Sequence, residues 1–342
     1  VFFDEEVHNI KRSFNISLAK AIRSAGLDHL KYEAMCEYAS LDEEALEEMR
    51  AAGYYKIRFG IETGSDKVAE KMTLGKKHDL DKLRTMVKFG KSLGMLFYGT
   101  ISIGGLGSDQ KEDQKTVDLV YEMASQGWLD EIQVSINTPQ PGTDFYNSCK
   151  EESLLSNSTN WEGFDGNGQV VVHYPHYPAE EIQTNFNKAL SAFDFGKEEA
   201  QTRVFSQNAK SSFNLIPNGA RVLLLRCVRN WMIRLTLENL NKKASVDLLG
   251  QNVSAKDLKG LDGLDQIYSY GTGFFSAESI SIELTEKLRN KQYDFVLIPV
   301  ANNHMPGYQN VLEVAETILP KEILYVYPEG RLQPASPVPI SH

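Results

Sequence analysis

The feature that most constrains this chain is a repeated alternation in its first half. In Lys56–Glu62, apolar Ile57, Phe59 and Ile61 alternate with Arg58, Gly60 and Glu62. In Leu96–Gly104, Ile101 and Ile103 alternate with Thr100 and Ser102; in Glu131–Asn137, Ile132, Val134 and Ile136 alternate with Gln133, Ser135 and Asn137. A period of two is the signature of a strand. The stretches Leu41–Gly53, Asp79–Leu93 and Glu112–Gln126 carry apolar residues at helical spacing and have crossover length. Strands joined by such helices belong to a parallel sheet. In an open, doubly wound sheet the central strands are apolar on both faces, whereas each strand here keeps one polar face. That pattern fits a barrel with a solvated or ligand-filled interior. Residues 1–150 therefore read as consecutive β/α units of an incomplete parallel TIM-like barrel, entered partway round. Val1–Phe3 and Leu30–Tyr38 are its earlier strands and Ile16–Ala25 an earlier helix. The start at Val1, without a methionine, reads as a chain whose N-terminal portion is missing.

The alternation changes character after the middle. Residues 151–180 are irregular, and Pro178–Phe195 is a helix completing a first domain that runs to residue 200. Residues 201–217 read as a linker. Strand and helix then alternate again over residues 218–330, but Arg221–Arg226 (RVLLLR) and Asp294–Val300 (DFVLIPV) are near-continuously apolar. Strands of that kind are covered on both faces, so the second domain is expected to be a smaller, doubly wound, Rossmann-like parallel sheet. Its last strand is Glu322–Tyr327, and residues 331–342 read as a disordered tail. No G-x-G-x-x-G follows the Arg221–Arg226 strand, which argues against dinucleotide binding.

A formal net charge of −10 leaves nothing to attract a polyanion at long range, so no nucleic-acid partner is expected. No apolar run reaches the length of a membrane span. Cys36, Cys149 and Cys227 are far apart in sequence and carry no metal-ligand spacing, which suits a reducing cytoplasm and gives no metal site in this chain. His173 and His176 are interrupted by Pro175 and lack a third ligand nearby. The sequence does not fix an oligomeric state.

In a barrel, ligand sites are built at the C-terminal ends of the strands. Glu62 stands at such an end, before Thr63-Gly64-Ser65, and is a ligand-binding candidate. The competing reading pairs it with Arg58, two residues back on the same face. Gly104-Gly105-Leu106-Gly107 either lets backbone approach a ligand or makes a plain strand-to-helix turn.

Several segments, in order, resemble the radical S-adenosylmethionine superfamily, in its cobalamin-dependent and methylthiolating branch. Phe3-Asp4-Glu5 with Asn9 and Arg12 is similar to that branch's F-x-D-D-x-F-x-x-N strand end. Gly60-Ile61-Glu62-Thr63-Gly64-Ser65 is similar to G-I-E-S-G-S, with Lys76 where a lysine element follows. Gly99–Gly107 (GTISIGGLG) resembles F-x-I-G-L-P-G-E-T, with Leu106 and Ser108 replacing the proline and glutamate. Thr138-Pro139-Gln140-Pro141-Gly142-Thr143 with Tyr146 resembles T-P-Y-P-G-T-x-L-Y.

The resemblance covers roughly residues 1–190 and implies S-adenosylmethionine at the barrel mouth. Gly60, Glu62, Gly64, Ser102, Gly104, Asn137 and Thr138 would face the cofactor, and Asp4, Asn9, Arg58 and Gln133 the substrate. It also implies a [4Fe–4S] cluster that generates a 5′-deoxyadenosyl radical. The family's C-x-x-x-C-x-x-C loop is absent here, so the cluster ligands are expected upstream of Val1 and this chain alone is expected to be inactive. Cobalamin belongs to that branch, but no D-x-H-x-x-G element supports it; His304 stands alone. The competing functional readings are a non-catalytic scaffold with a degenerate barrel and, on a loose likeness of the second domain, a nucleotide-sugar transferase.

Overall fold

Five parallel strands, hydrogen-bonded in the order in which they occur in the chain, form the first sheet: β1 (Phe2–Phe3), β2 (Tyr32–Met35), β3 (Tyr54–Glu62), β4 (Leu96–Ile103) and β5 (Glu131–Ile136). The computed structural model describes residues 1–74, 78–155, 161–166, 169–258, 263–301 and 307–335. Lys76 and His304 lie outside them. The chain divides into two units, Val1–Ala200 and Gln201–His342. Among the described residues no helix is long and apolar enough to cross a membrane.

The strands of the first unit are joined by α1 (Arg12–Ser24), α2 (Glu43–Ala51), α3 (Asp66–Lys71), α4 (Leu80–Ser92) and α5 (Gln110–Ser125). Sequential parallel strands with right-handed crossovers put all these helices on one face of the sheet. Local chemistry fixes where the helices start. Asp42, Asp79 and Asp109 accept from the backbone N–H of Ala45, Lys82 and of Lys111 and Glu112, and acidic residues follow in each first turn. The alternation read from the sequence holds. Ile57, Phe59, Ile61, Phe97, Ile101, Ile103, Val134 and Ile136 are buried, and they join Leu46, Met49, Leu83, Val87, Val120 and Met123 of the helices in one core. Thr100, Ser102, Gln133 and Ser135 share the opposite face, where each is partly or fully exposed.

The second strand is shorter than the Leu30–Tyr38 expected. After Cys36 N donates to Arg58 O, both peptide groups of Glu37 turn to the Asn9 side-chain amide, and Tyr38–Ser40 forms a 3₁₀ turn. A helix, α6 (Asp144–Glu151), precedes the irregular stretch. The next helix, α7 (Ala179–Ser212), is 34 residues long, far beyond the expected end at Phe195.

Residues 201–217 are therefore not a loose linker. Most are helical, and Phe205, Ala209, Phe213 and Ile216 are buried in the core of the second unit. That unit holds β6 (Ala220–Leu225), β7 (Ala244–Gly250), β8 (Gln266–Ser269), β9 (Phe295–Pro299), β10 (Glu322–Val326) and β11 (Leu332–Pro334). The strand order is β11-β10-β9-β6-β7-β8. Val222 and Leu224 enter one core while Leu223 and Leu225 enter another, so the sheet is covered on both faces as its apolar strands predict. Its helices are α8 (Asn230–Leu240), α9 (Asn252–Asp257), α10 (Ile282–Asn290) and α11 (Gln309–Ile318). The sheet is mixed, because β11 pairs antiparallel with β10. Residues 332–334, expected in a disordered tail, form this edge strand, and Leu332 is buried.

Candidate functional site

The C-terminal ends of β2 and β3 open onto a cavity of about 490 Å³, whose lining includes Glu6, Cys36, Glu37, Tyr38, Glu62 and His78. Apolar wall comes from Val7, Met35, Ile61 and Leu74, and Gly60 and Thr100 contribute from the polar face of the sheet. Among the described residues no lysine or arginine lines it.

Glu62 is the unusual residue here. Its φ is +65°, in the left-handed region that a residue with a Cβ avoids. The pairing with β4 slips at the same place: Gly60 stands opposite Thr100, but Glu62 opposite Ile101. This bulge re-aims the side chain. The carboxylate folds back over Gly60, so that a Cβ built on Gly60 would stand 2.4 Å from Glu62 Oε1. Ser102 Oγ donates to Glu62 Oε2 at 3.1 Å. Burial pushes the Glu62 carboxyl above its ordinary value, and the Ser102 hydrogen bond only partly opposes this. Among the described residues no cation lies within ion-pair distance of it.

Arg58, the competing partner, is engaged elsewhere. It pairs with Glu33, and its guanidinium stacks on Phe2 at 4.9 Å and on Tyr98 at 4.6 Å. At about 3.3 Å per residue it lies roughly 13 Å down the strand from Glu62. Gln133 stands level with Thr100 and Gly60 in the register of the sheet, exposed, accepting a hydrogen bond from Tyr98 OH at 3.0 Å.

The remaining candidates separate into distinct roles. Gly60, Glu62 and Ser102 come together at the cavity. Asp4 is exposed in the loop after β1. Asn9, expected to face substrate, is fully buried, with both ends of its amide engaged by Glu37 backbone. Gly64 is a packing residue, since a Cβ there would stand 2.5 Å from the Lys115 carbonyl oxygen of α5. Gly104, at φ +77°, turns the chain out of β4, and Tyr174 OH donates to its carbonyl at 3.2 Å. Asn137 and Thr138 follow β5: Asn137 Nδ2 points at Met72 Sδ, 3.6 Å away, and Thr138 Oγ1 donates to Ile136 O.

Beneath the glycine-rich turn lies a network that the sequence reading missed. Buried Asp113 accepts from Gly104 N, Ser108 Oγ and Tyr177 OH at 2.8, 2.9 and 2.9 Å, and Asn185 Nδ2 donates to Tyr177 OH. Burial raises the Asp113 carboxyl against the pull of these donors. A carboxylate among Thr116, Val117 and Val120 on the buried face of α5 was the available signal.

The three cysteines are not gathered to hold the cluster implied by the resemblance. Cys36 and Cys149 are buried, Cys227 belongs to the other unit, and burial raises all three thiols. Among the described residues no group of three or more His, Cys, Asp or Glu is placed to hold a metal ion.

A parallel β/α sheet with a carboxylate at its strand ends is a setting in which ligand sites are commonly built. The chain was also compared with known proteins. No family model matches the chain. It is 27% identical over 185 residues to an uncharacterized methyltransferase of Pyrococcus horikoshii, covering 54% of this chain and 38% of that protein. It is 25% identical over 117 residues to cytidylyl-2-hydroxyethylphosphonate methyltransferase of Streptomyces wedmorensis, covering 34% of this chain and 22% of that protein. Among solved structures it is similar to the radical S-adenosylmethionine methyltransferase TsrM of Kitasatospora setae, determined with cobalamin and a [4Fe–4S] cluster bound. The TM-score is 0.40 and the identity 15%, over 53% of this chain and 36% of TsrM. The chain thus spans less than half the length of each of these proteins. Its motifs resemble the radical S-adenosylmethionine superfamily, and both sequence relatives are methyltransferases by name.

Proposed function

We propose that the first unit is a segment of a (β/α) barrel that holds S-adenosylmethionine at its mouth in a radical S-adenosylmethionine enzyme, and that Glu62 anchors the cofactor. The observation that carries this reading is Glu62 itself: a half-buried carboxylate at +65° φ, without a cation partner among the described residues, on a cavity at the strand ends. Such strain and desolvation persist where the surrounding structure enforces them, and they cluster at ligand sites. The donor set fits the cofactor. An ionised carboxylate only accepts hydrogen bonds, and S-adenosylmethionine offers ribose hydroxyls, an ammonium group and a positive sulfonium. Glu6 and Glu62, with no lysine or arginine among the described residues of the lining, suit a cation.

The chain's own residues would act as follows. Glu62 takes hydrogen bonds from the ribose or the ammonium group, Ser102 Oγ fixes the orientation of its carboxylate, and Gly60 leaves room for that carboxylate. Val7, Met35, Ile61 and Leu74 exclude water along one wall. Bound beside a reduced cluster, the cofactor supplies radical chemistry; the cluster is held by residues other than the three cysteines of this chain. Methyl transfer is the outcome that the sequence relatives favour.

The test is calorimetric titration of S-adenosylmethionine into the full-length, cluster-loaded protein and its Glu62→Gln variant. Loss of a charge-assisted hydrogen bond should weaken binding roughly ten- to hundredfold. Equal affinity in the two proteins would remove Glu62 from the site.

A further inference from the structure

The sheet of the second unit reverses its winding between β6 and β9: the chain adds β7 and β8 on one side of β6, then β9 and β10 on the other. In open α/β sheets this reversal leaves a crevice outside the carboxyl ends of the strands, because the two flanking connections leave in opposite directions. A cavity of about 450 Å³ lies there, within the range of small-molecule sites. Its lining comes from the segments that follow β6, β7, β8 and β9. Cys227 Sγ, just after β6, donates to the carbonyl of Pro299 at the end of β9 at 3.1 Å, which ties the floor of the crevice to the switch point.

Two features of the lining have no structural task that uses them fully. Arg226 is half-buried; its Nε and Nη2 both donate to Asn230 Oδ1 at 3.1 and 2.7 Å, a neutral acceptor. Among the described residues no carboxylate lies within ion-pair distance of it, although Asp257 acts on it from farther away. Burial accordingly pulls the guanidinium below its ordinary value. A half-buried cation at strand ends invites an anion. Phe274, on the loop after β8, lines the same cavity and is 90% exposed; Tyr270 and Phe275, also in the lining, meet edge-to-face at 4.9 Å. A large ring left in water at a cavity rim invites a planar partner. Gln251 Nε2 donates to Gly273 O at 2.7 Å and so steadies the loop that carries Phe274.

We propose that this crevice is a ligand site of the second unit and takes a nucleotide-class ligand, with phosphate against Arg226 and a planar base against Phe274 and Tyr270. The loop Arg226–Arg229 contains no glycine, so it cannot bring successive backbone amides onto a pyrophosphate as a dinucleotide fold does. The guanidinium takes that role and presents a fork that matches phosphate geometry. The argument stands apart from the cofactor reading of the first unit.

The experiment is calorimetric titration of the whole chain with adenosine, guanosine, cytidine and uridine diphosphates and with inorganic pyrophosphate, in low and high salt. At least one nucleoside diphosphate should bind, more tightly than pyrophosphate and less tightly in high salt. Arg226→Gln should weaken that binding roughly ten- to hundredfold. Phe274→Ser, at a side chain too exposed to disturb folding, should weaken it roughly three- to tenfold. Failure of every nucleoside diphosphate to bind would overturn the proposal. So would binding that both variants leave unchanged, or pyrophosphate binding as tightly as any nucleoside diphosphate.

Discussion

At Glu62 a residue with a Cβ adopts positive φ and half-buries a carboxylate, two unfavourable choices at one position. The consequence for stability has a definite sign. A carboxyl whose folded pKa lies above its ordinary value of 4.5 binds more protons in the folded state, so its stabilising contribution is complete below that value and is lost as pH rises through the folded pKa. Glu62→Gln should therefore be at least as stable as the parent at neutral pH, and its advantage should fade as pH falls toward 4.5. Thermal unfolding across that range checks it; a loss of stability at neutral pH would mean that the charge supports the fold. Asp113 is the opposite case, a buried carboxylate with a full set of donors. Asp113→Ala strands the N–H of Gly104 and the hydroxyls of Ser108 and Tyr177, and should cost about 2–4 kcal/mol in urea unfolding. The sequence singled out Glu62 because strand parity and position suffice to place it at the mouth. For Asp113 it offers only a carboxylate on the buried face of α5; the partners, as distant as Tyr177, are not legible, nor is the pairing of Arg58 with Glu33 across the sheet.

Among elements, the existence of the strands was legible from alternation, but their ends were not. Leu30, Tyr32, Ala34, Cys36 and Tyr38 alternate with Lys31, Glu33, Met35 and Glu37, yet the strand is only Tyr32–Met35, and its shortening goes with a distant amide, Asn9. The length of α7 was hidden for a similar reason. Its second half is polar at the surface, with Ala200, Phe205 and Ala209 marking the buried stripe. The register shift after Gly60 belongs to this scale too, since it sets the direction of Glu62 and leaves no trace in composition. Gly64, which resemblance alone assigns to the cofactor, packs α5 against the end of β3. Gly64→Ala would drive a Cβ to 2.5 Å from Lys115 O and 2.9 Å from Thr116 Cα. The expected loss is about 1–3 kcal/mol. Denaturant unfolding measures it, and an unchanged midpoint would show that the contact relaxes freely.

For the whole molecule, the change from alternating to continuously apolar strands announced two kinds of sheet. The structure supplies a one-sided core in the first unit and cores on both faces in the second. What sequence could not show was the antiparallel β11, because a three-residue edge strand is too short for any periodicity. The cores are made of different residues, so a cavity in one should leave the other intact. Leu224 is fully buried in the second unit, and Leu224→Ala should cost that unit about 2–5 kcal/mol. Hydrogen exchange should show faster exchange in residues 201–335 while the amides of β3 and β4 keep their protection. Equal loss in both units would mean that they unfold as one.

The central claim is that the Glu62 carboxylate is held ready for a cationic, hydrogen-bond-donating ligand, and its own titration tests that most directly. With carbon-13 in the glutamate carboxyls of the full-length, cluster-loaded protein, the Glu62 signal should titrate above 4.5 without ligand. Added S-adenosylmethionine favours the charged form and should move the midpoint down, with affinity rising as pH rises through the free-protein midpoint. A Glu62 midpoint that S-adenosylmethionine leaves unmoved would contradict the account.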